Sequence, residues 1–251
     1  MAEEGGSRVA IVTGGARGIG AGICRRLADD GCSVAIFDVL ADEANAFADE
    51  LPDAAALHVD IADVEGVRAG VQAVLERWNR IDLLVNNAGW DRLLPFLETD
   101  PDLWDRLIGI NLRGPIAVCH AVLPTMVSQG RGRVVNIASD AGRTGSSGES
   151  VYAACKGGVI ALTKSLAREM ARHTITVNCV CPGPSDTPLM EELRSDETGE
   201  RIMDAIVKAT PLRRLADPSD VAEAVSFFAS PRAAFITGQV LSVSGGLTMA
   251  G

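Results

Sequence analysis

The chain has 251 residues and a formal charge of -10; hydrophobic residues make up 47% of it and aromatic residues 4%. That length suits one large α/β domain, and the acid excess disfavours attraction to phosphate backbones or anionic lipid, which argues against nucleic-acid and membrane partners. Met1 to Arg8 is acidic and Gly-rich with no apolar leader, and no later run reaches the roughly 20 apolar residues of a bilayer crossing, so a cytoplasmic location is expected.

The first strand-length apolar run is Arg8 to Thr13, and it enters the turn Thr13-Gly14-Gly15-Ala16-Arg17-Gly18-Ile19-Gly20. A helix is expected from Gly18 to Asp30, so N–H groups at its start can face a pyrophosphate while glycine lets the chain come close. A plain strand-to-helix turn also uses glycine, so the context has to decide. The second run, Ser33 to Asp38, ends on Asp38 at the spacing where a carboxylate accepts hydrogen bonds from an adenosine ribose. The same charge repels a 2'-phosphate, which favours NAD over NADP; Arg17 offers a phosphate contact and keeps NADP open.

Further strand-like runs are Ala55 to Asp60, Ile81 to Asn86, Arg133 to Ala138, Thr174 to Val180 and Gln239 to Val243. Helices are expected over Asp63 to Asn79, Asp100 to Ser128 and Val151 to Arg172. Strands that are apolar throughout are buried on both faces, and their alternation with helices predicts a Rossmann-type, doubly wound, seven-stranded parallel sheet in a single α/β domain. The stretch Thr187 to Arg214 is charge-rich and proline-bounded, which suits a substrate flap. The six cysteines form no Cys-x-x-Cys pair and the three histidines are scattered, so no metal site is expected and the thiols read as buried filler.

Tyr152 and Lys156 lie four residues apart in a predicted helix, on one face and one turn apart. The ammonium is expected to lower the phenol pKa toward working pH, letting Tyr152 take a proton from an alcohol or return it to a carbonyl. Ser139 follows the fifth strand at the sheet's carboxyl end and can hydrogen-bond a substrate oxygen. Alone, such a pair is usually a surface contact and such a serine a helix cap. Tyr152 is, however, the only tyrosine in the chain.

The glycine turn, Asn86-Asn87-Ala88-Gly89, Ser139, Tyr152-Ala153-Ala154-Cys155-Lys156 and Pro182-Gly183 together resemble the short-chain dehydrogenases/reductases, from Arg8 through Ser244-Gly245-Gly246. The resemblance implies a nicotinamide-dependent enzyme interconverting a secondary alcohol and a ketone. It gives Ser139 the task of orienting the carbonyl, and Asn111 that of holding a water in a proton relay to Lys156. It places Asp60 and Ile61 beside the adenine, Asn87, Ala88 and Gly89 along the cofactor groove with Pro182 and Gly183, and Thr187 at the nicotinamide carboxamide. It also implies a homotetramer built through the helices Asp100 to Ser128 and Val151 to Arg172 and the last strand.

Substrate contacts are expected from Trp90, Asp91, Asp140, Arg143, Ser147 and Glu149. The runs Asn87 to Asp91, Ala138 to Ala141, Gly145 to Glu149, Val151 to Gly158 and Phe235 to Met249 resemble, more narrowly, the 2-hydroxycyclohexanecarboxyl-CoA dehydrogenases. That implies NAD-linked oxidation of a cyclic 2-hydroxyacyl- or 3-hydroxyacyl-CoA thioester. The competing readings are an NADPH-linked 3-oxoacyl-[acyl-carrier-protein] reductase and a dinucleotide-binding sensor without turnover.

Overall fold

The computed structural model describes residues 7–186 and 197–250. The apolar runs become β1 (Arg8–Thr13), β2 (Cys32–Asp38), β3 (Ala54–His58), β4 (Leu83–Asn86), β5 (Gly132–Ile137), β6 (Ile175–Pro182) and β7 (Val240–Val243). They form one parallel sheet in the order β3-β2-β1-β4-β5-β6-β7. The chain winds outward one way from β1 and the other way from β4. The crevice between those two strands, at their carboxyl ends, is where such a sheet holds ligands.

Helices cover both faces, as parallel connections require. They are α1 (Gly18–Asp29), α2 (Ala41–Ala48), α3 (Val64–Trp78), α4 (Pro101–Ile108), α5 (Gly114–Gln129), α6 (Ala141–Thr144), α7 (Ser150–Met170), α8 (Glu197–Ala209) and α9 (Pro218–Ala229). Side chains along β1 point alternately to the two sides. Ala10 and Val12 join Ile23 and Leu27 of α1 and Val221, Val225 and Phe228 of α9, while Val9 and Ile11 join Val67, Val71 and Val74 of α3 and Val118, Val122 and Met126 of α5. Asp63 caps α3 by accepting from Glu65 N–H, Asp100 caps α4 ahead of Pro101, and Asp217 and Asp220 close a capping box on α9.

Two expectations are modified. The segment Asp100 to Ser128 is not one regular helix: a π turn at Gly109–Arg113 separates α4 from α5. By length and a mean hydropathy of 1.3, Pro101–Gln129 also passes as a membrane-length apolar helix, contrary to the reading that no run does. Its apolar side is packed on α3 and the sheet, through Val118, Val122 and Met126. The described part of the expected flap is α8, whose Met203 is buried, followed by buried Thr210; Leu212 N–H donates to the Gly245 carbonyl. Thr187 lies outside the described residues.

Candidate active site

The glycine turn is locked from below by the chain that follows β4. Thr13 Oγ1 accepts from the N–H groups of Asn87 and Ala88 at 3.1 and 3.0 Å, and Asn87 Nδ2 donates to the carbonyls of Thr13 and Gly14. Gly14 sits at φ +62, where a Cβ would press on Ala88 at 2.8 Å, and a Cβ on Gly20 would collide with the Gly14 carbonyl. The N-terminus of α1 has no side-chain cap, which leaves its first N–H groups for an anion. Asp38, 7% exposed, accepts from Ala16 N–H at 2.9 Å and Leu40 N–H at 3.1 Å, fixing its carboxylate at the groove's adenosine end.

Gly14, Gly20, Asp38, Leu40 and Asn87 line a cavity of about 380 Å³ together with Arg17, Gly18, Ile19, Asp60, Ile61, Ala88, Gly89 and Trp90. The groove fits a dinucleotide: bare glycine backbone for the pyrophosphate, a held carboxylate for the ribose, and apolar walls for the adenine. Sequence reasoning missed Thr13, whose only signal is a polar residue closing an apolar run. It also missed Arg106, whose guanidinium lies 3.8 Å over the Trp90 ring on the groove's rim.

A second cavity of about 870 Å³ shares Ile19, Asn87, Gly89 and Trp90 with the first, so the two meet there. Its walls carry Ser139, Tyr152 and Lys156, together with Pro182, Gly183, Asp91, Asp140, Ser147 and Glu149. Burial on α7 brings Lys156 to 3% exposure, where its Nζ donates to the Ile137 carbonyl at 3.0 Å and stands 5.5 Å from the Tyr152 ring centroid. Desolvation lowers its ordinary value of 10.5 to about 8.

Tyr152 departs from the sequence expectation. Burial and the charges of Asp91 and Glu149 hold its phenol above the ordinary range, while a hydrogen bond with Ser139 works the other way. Spacing located the lysine; it carried no information on desolvation or on the two carboxyls.

Asn111 is fully buried in the π turn, outside both cavity walls. Its Nδ2 donates to the carbonyls of Trp90 and Leu107 at 2.7 and 3.0 Å, and its Oδ1 accepts from Trp90 N–H at 3.1 Å. A Cβ on Gly89 would meet Asn111 Oδ1 at 3.0 Å and Lys156 Nζ at 3.3 Å, so the three are packed together. The Asn111 side chain therefore pins the loop after β4, with both amide protons on main-chain carbonyls. Arg143 also differs from its expected place. It does not line the cavity, and its guanidinium reaches Ser242 Oγ at 2.8 Å and the Ala250 carbonyl, with Ser242 in turn bonded to Asp140.

The arrangement can hold a dinucleotide beside a cavity whose wall carries a phenol, a hydroxyl and an ammonium. Known proteins agree with it. The sequence profile of the family described as Enoyl-(Acyl carrier protein) reductase matches residues 14–248. Oxidoreductase UcpA of Salmonella typhimurium is 39% identical over 250 residues, covering 96% of this chain and 95% of that protein. The 3-oxoacyl-[acyl-carrier-protein] reductase FabG of Vibrio harveyi is 37% identical over 243 residues, covering 96% and 98%. A crystal structure of an actinorhodin polyketide ketoreductase variant with NADPH superposes with a TM-score of 0.92 at 38% identity, over 96% of this chain and 97% of that one. A match that runs through the glycine turn, the Tyr152 helix and the last strand alike makes this chain an oxidoreductase of the short-chain dehydrogenase/reductase family.

Proposed function

We propose that the chain interconverts a hydroxyacyl thioester and its oxo form with NAD(H), using Tyr152 as acid and base. The observation that carries this reading is the meeting of the two cavities: the wall bearing Ser139, Tyr152 and Lys156 runs into the glycine groove at Asn87, Gly89 and Trp90. A bound nicotinamide supplies or takes the hydride. In reduction the Tyr152 hydroxyl gives its proton to the substrate oxygen, and in oxidation it takes that proton back. Ser139 donates to the same oxygen and steadies the charge developing on it. Lys156, with one proton committed to the Ile137 carbonyl, keeps a cation behind the phenol ring.

The held Asp38 carboxylate supports NAD, because it occupies the groove end where a 2'-phosphate would sit and would repel it. The narrower resemblance of the loop and C-terminal runs supports a cyclic or 3-hydroxyacyl-CoA as the thioester. A second reading, an NADPH-linked reductase of carrier-protein 3-oxoacyl thioesters, draws on the FabG and polyketide ketoreductase likenesses and on the raised phenol. We further propose a homotetramer.

The test is turnover followed by nicotinamide absorbance, with each of the two cofactors, against hydroxyacyl-CoA and oxoacyl-CoA thioesters, carrier-protein thioesters and free hydroxy acids. The expected result is a preference for NAD and CoA thioesters, and loss of at least about a hundredfold in kcat in Tyr152→Phe with NADH binding retained. A preference for NADPH and carrier-protein substrates would move the assignment to the second reading. Undiminished turnover in Tyr152→Phe would remove the acid–base assignment.

A further inference from the structure

Asp91 is a buried acid with no donor. It is 8% exposed, it lies on the loop after β4, and neither of its carboxyl oxygens has a hydrogen-bond donor among the described residues. Opposite it is Glu149, half-buried, at the N-cap position of α7 but not capping that helix with its side chain. Two ionised carboxylates only accept, so these two bond to each other when one of them holds a proton. Burial, then the Glu149 carboxyl, push Asp91 from an ordinary 3.8 up to about 7; the Arg92 N–H, near but outside hydrogen-bond geometry, and the charge of Lys156 act against that. Both acids line the larger cavity with Tyr152.

Every element around the phenol contributes a group. The loop after β4 brings Asp91 and the N-cap of α7 brings Glu149, both acidic; β6 brings the Cys181 thiol; the end of β5 brings the Ser139 hydroxyl; and α7 itself brings Lys156. One buried cation and two carboxyls thus share the cavity wall with the phenol. Neither acid lines the glycine groove.

We propose that Asp91 and Glu149 are positioning residues for the reaction, a proton-sharing carboxyl pair whose charge keeps the Tyr152 phenol in its acid form and biases the site toward giving a proton to a carbonyl. The proposal rests on Tyr152 being the acid and base of the reaction. The pair acts through the field at the phenol, and on the acid side of neutrality it keeps one of its two negative charges by retaining one proton between its members.

The chain's single tyrosine makes the effect directly readable. Protein grown with tyrosine labelled at Cζ gives one resonance, whose shift follows protonation of Tyr152. The experiment titrates that resonance, with oxidised dinucleotide bound, in the unaltered protein, in Asp91→Asn, in Glu149→Gln and in Asp91→Glu. It is paired with the pH profile of kcat/KM for alcohol oxidation. In each amide variant both curves are expected to move to lower pH by about one unit, with Asp91→Glu returning them toward the starting position. Curves that stay in place in the amide variants overturn the proposal. So does a change confined to KM, which would make the pair a substrate contact. Should Asp91→Asn fail to fold, Glu149→Gln at its half-buried position carries the same test. Surviving turnover in Tyr152→Phe would defeat the acid–base assignment instead, and the resonance would still report whether the carboxyls act on the phenol.

Discussion

Lys156 and Asp91 each pay for burial with a displaced proton equilibrium, in opposite senses. The folded lysine releases its proton near 8 against an ordinary 10.5, so between those values the unfolded chain holds more protons and stability rises with pH. Folded Asp91 keeps its proton up to about 7 against an ordinary 3.8, so in that window the folded chain holds more and stability falls as pH rises. Denaturant unfolding of the unaltered protein and of Asp91→Asn is expected to give a difference in stability that grows in the variant's favour from about pH 4 to pH 7 and then levels. A constant difference would mean that Asp91 does not titrate there. Tyr152, Lys156 and Asp38 were legible as residues because chemistry demands their type and spacing. The direction of the phenol's displacement was not, because it is set by burial and then by Asp91 and Glu149, which only the folded loop and the start of α7 bring to it.

The position of α7 depends on a buried polar chain across three elements. Asn86 Nδ2 donates to Asn136 Oδ1 at 2.8 Å, Asn136 Nδ2 to Thr163 Oγ1 at 2.9 Å, and Thr163 Oγ1 to the Val159 carbonyl at 2.9 Å. It ties β4 to β5 and β5 to the helix that carries Tyr152 and Lys156. On the other side Gly142 of α6 rests on the Lys156–Gly157 backbone, where a Cβ would stand 2.7 Å from Gly157 N. Asn136→Ala leaves the Asn86 amide without that acceptor and is expected to cost about 1–3 kcal/mol in denaturant unfolding, with a fall in kcat as the helix loosens. Intact stability would show the network to be dispensable. Strands and long helices could be read from the sequence because their apolar periods are long. The π turn could not: Ile110-Asn111-Leu112 looks like any helical stretch, and the offset exists only because Asn111 bonds to the main chain of Trp90.

For the molecule as a whole, the apolar residues left uncovered are informative. Trp104 and Ile108 of α4, Ile116 of α5 and Leu241 of β7 are exposed. Uncovered apolar side chains on these elements suit the self-contacts of the proposed tetramer. Light scattering is expected to return about four times the 26.3 kDa chain mass. A monomer at micromolar concentration would contradict the proposed assembly. The seven-stranded parallel sheet with helices on both faces followed from the strand-helix alternation, whereas the place of Arg143 did not, since its partners Ser242 and Ala250 are about a hundred residues away in the chain.

The π turn has an evolutionary corollary. A path of this kind contains one residue more than a regular α-helix between the same end points, so loss of a single codon within Gly109–Arg113 would leave the flanking turns in phase and their core contacts intact. The shortened protein would be a sounder helix and a poorer enzyme, with Trp90 and the floor beneath Lys156 released. A one-residue deletion here is expected to weigh more heavily on catalysis than on folding.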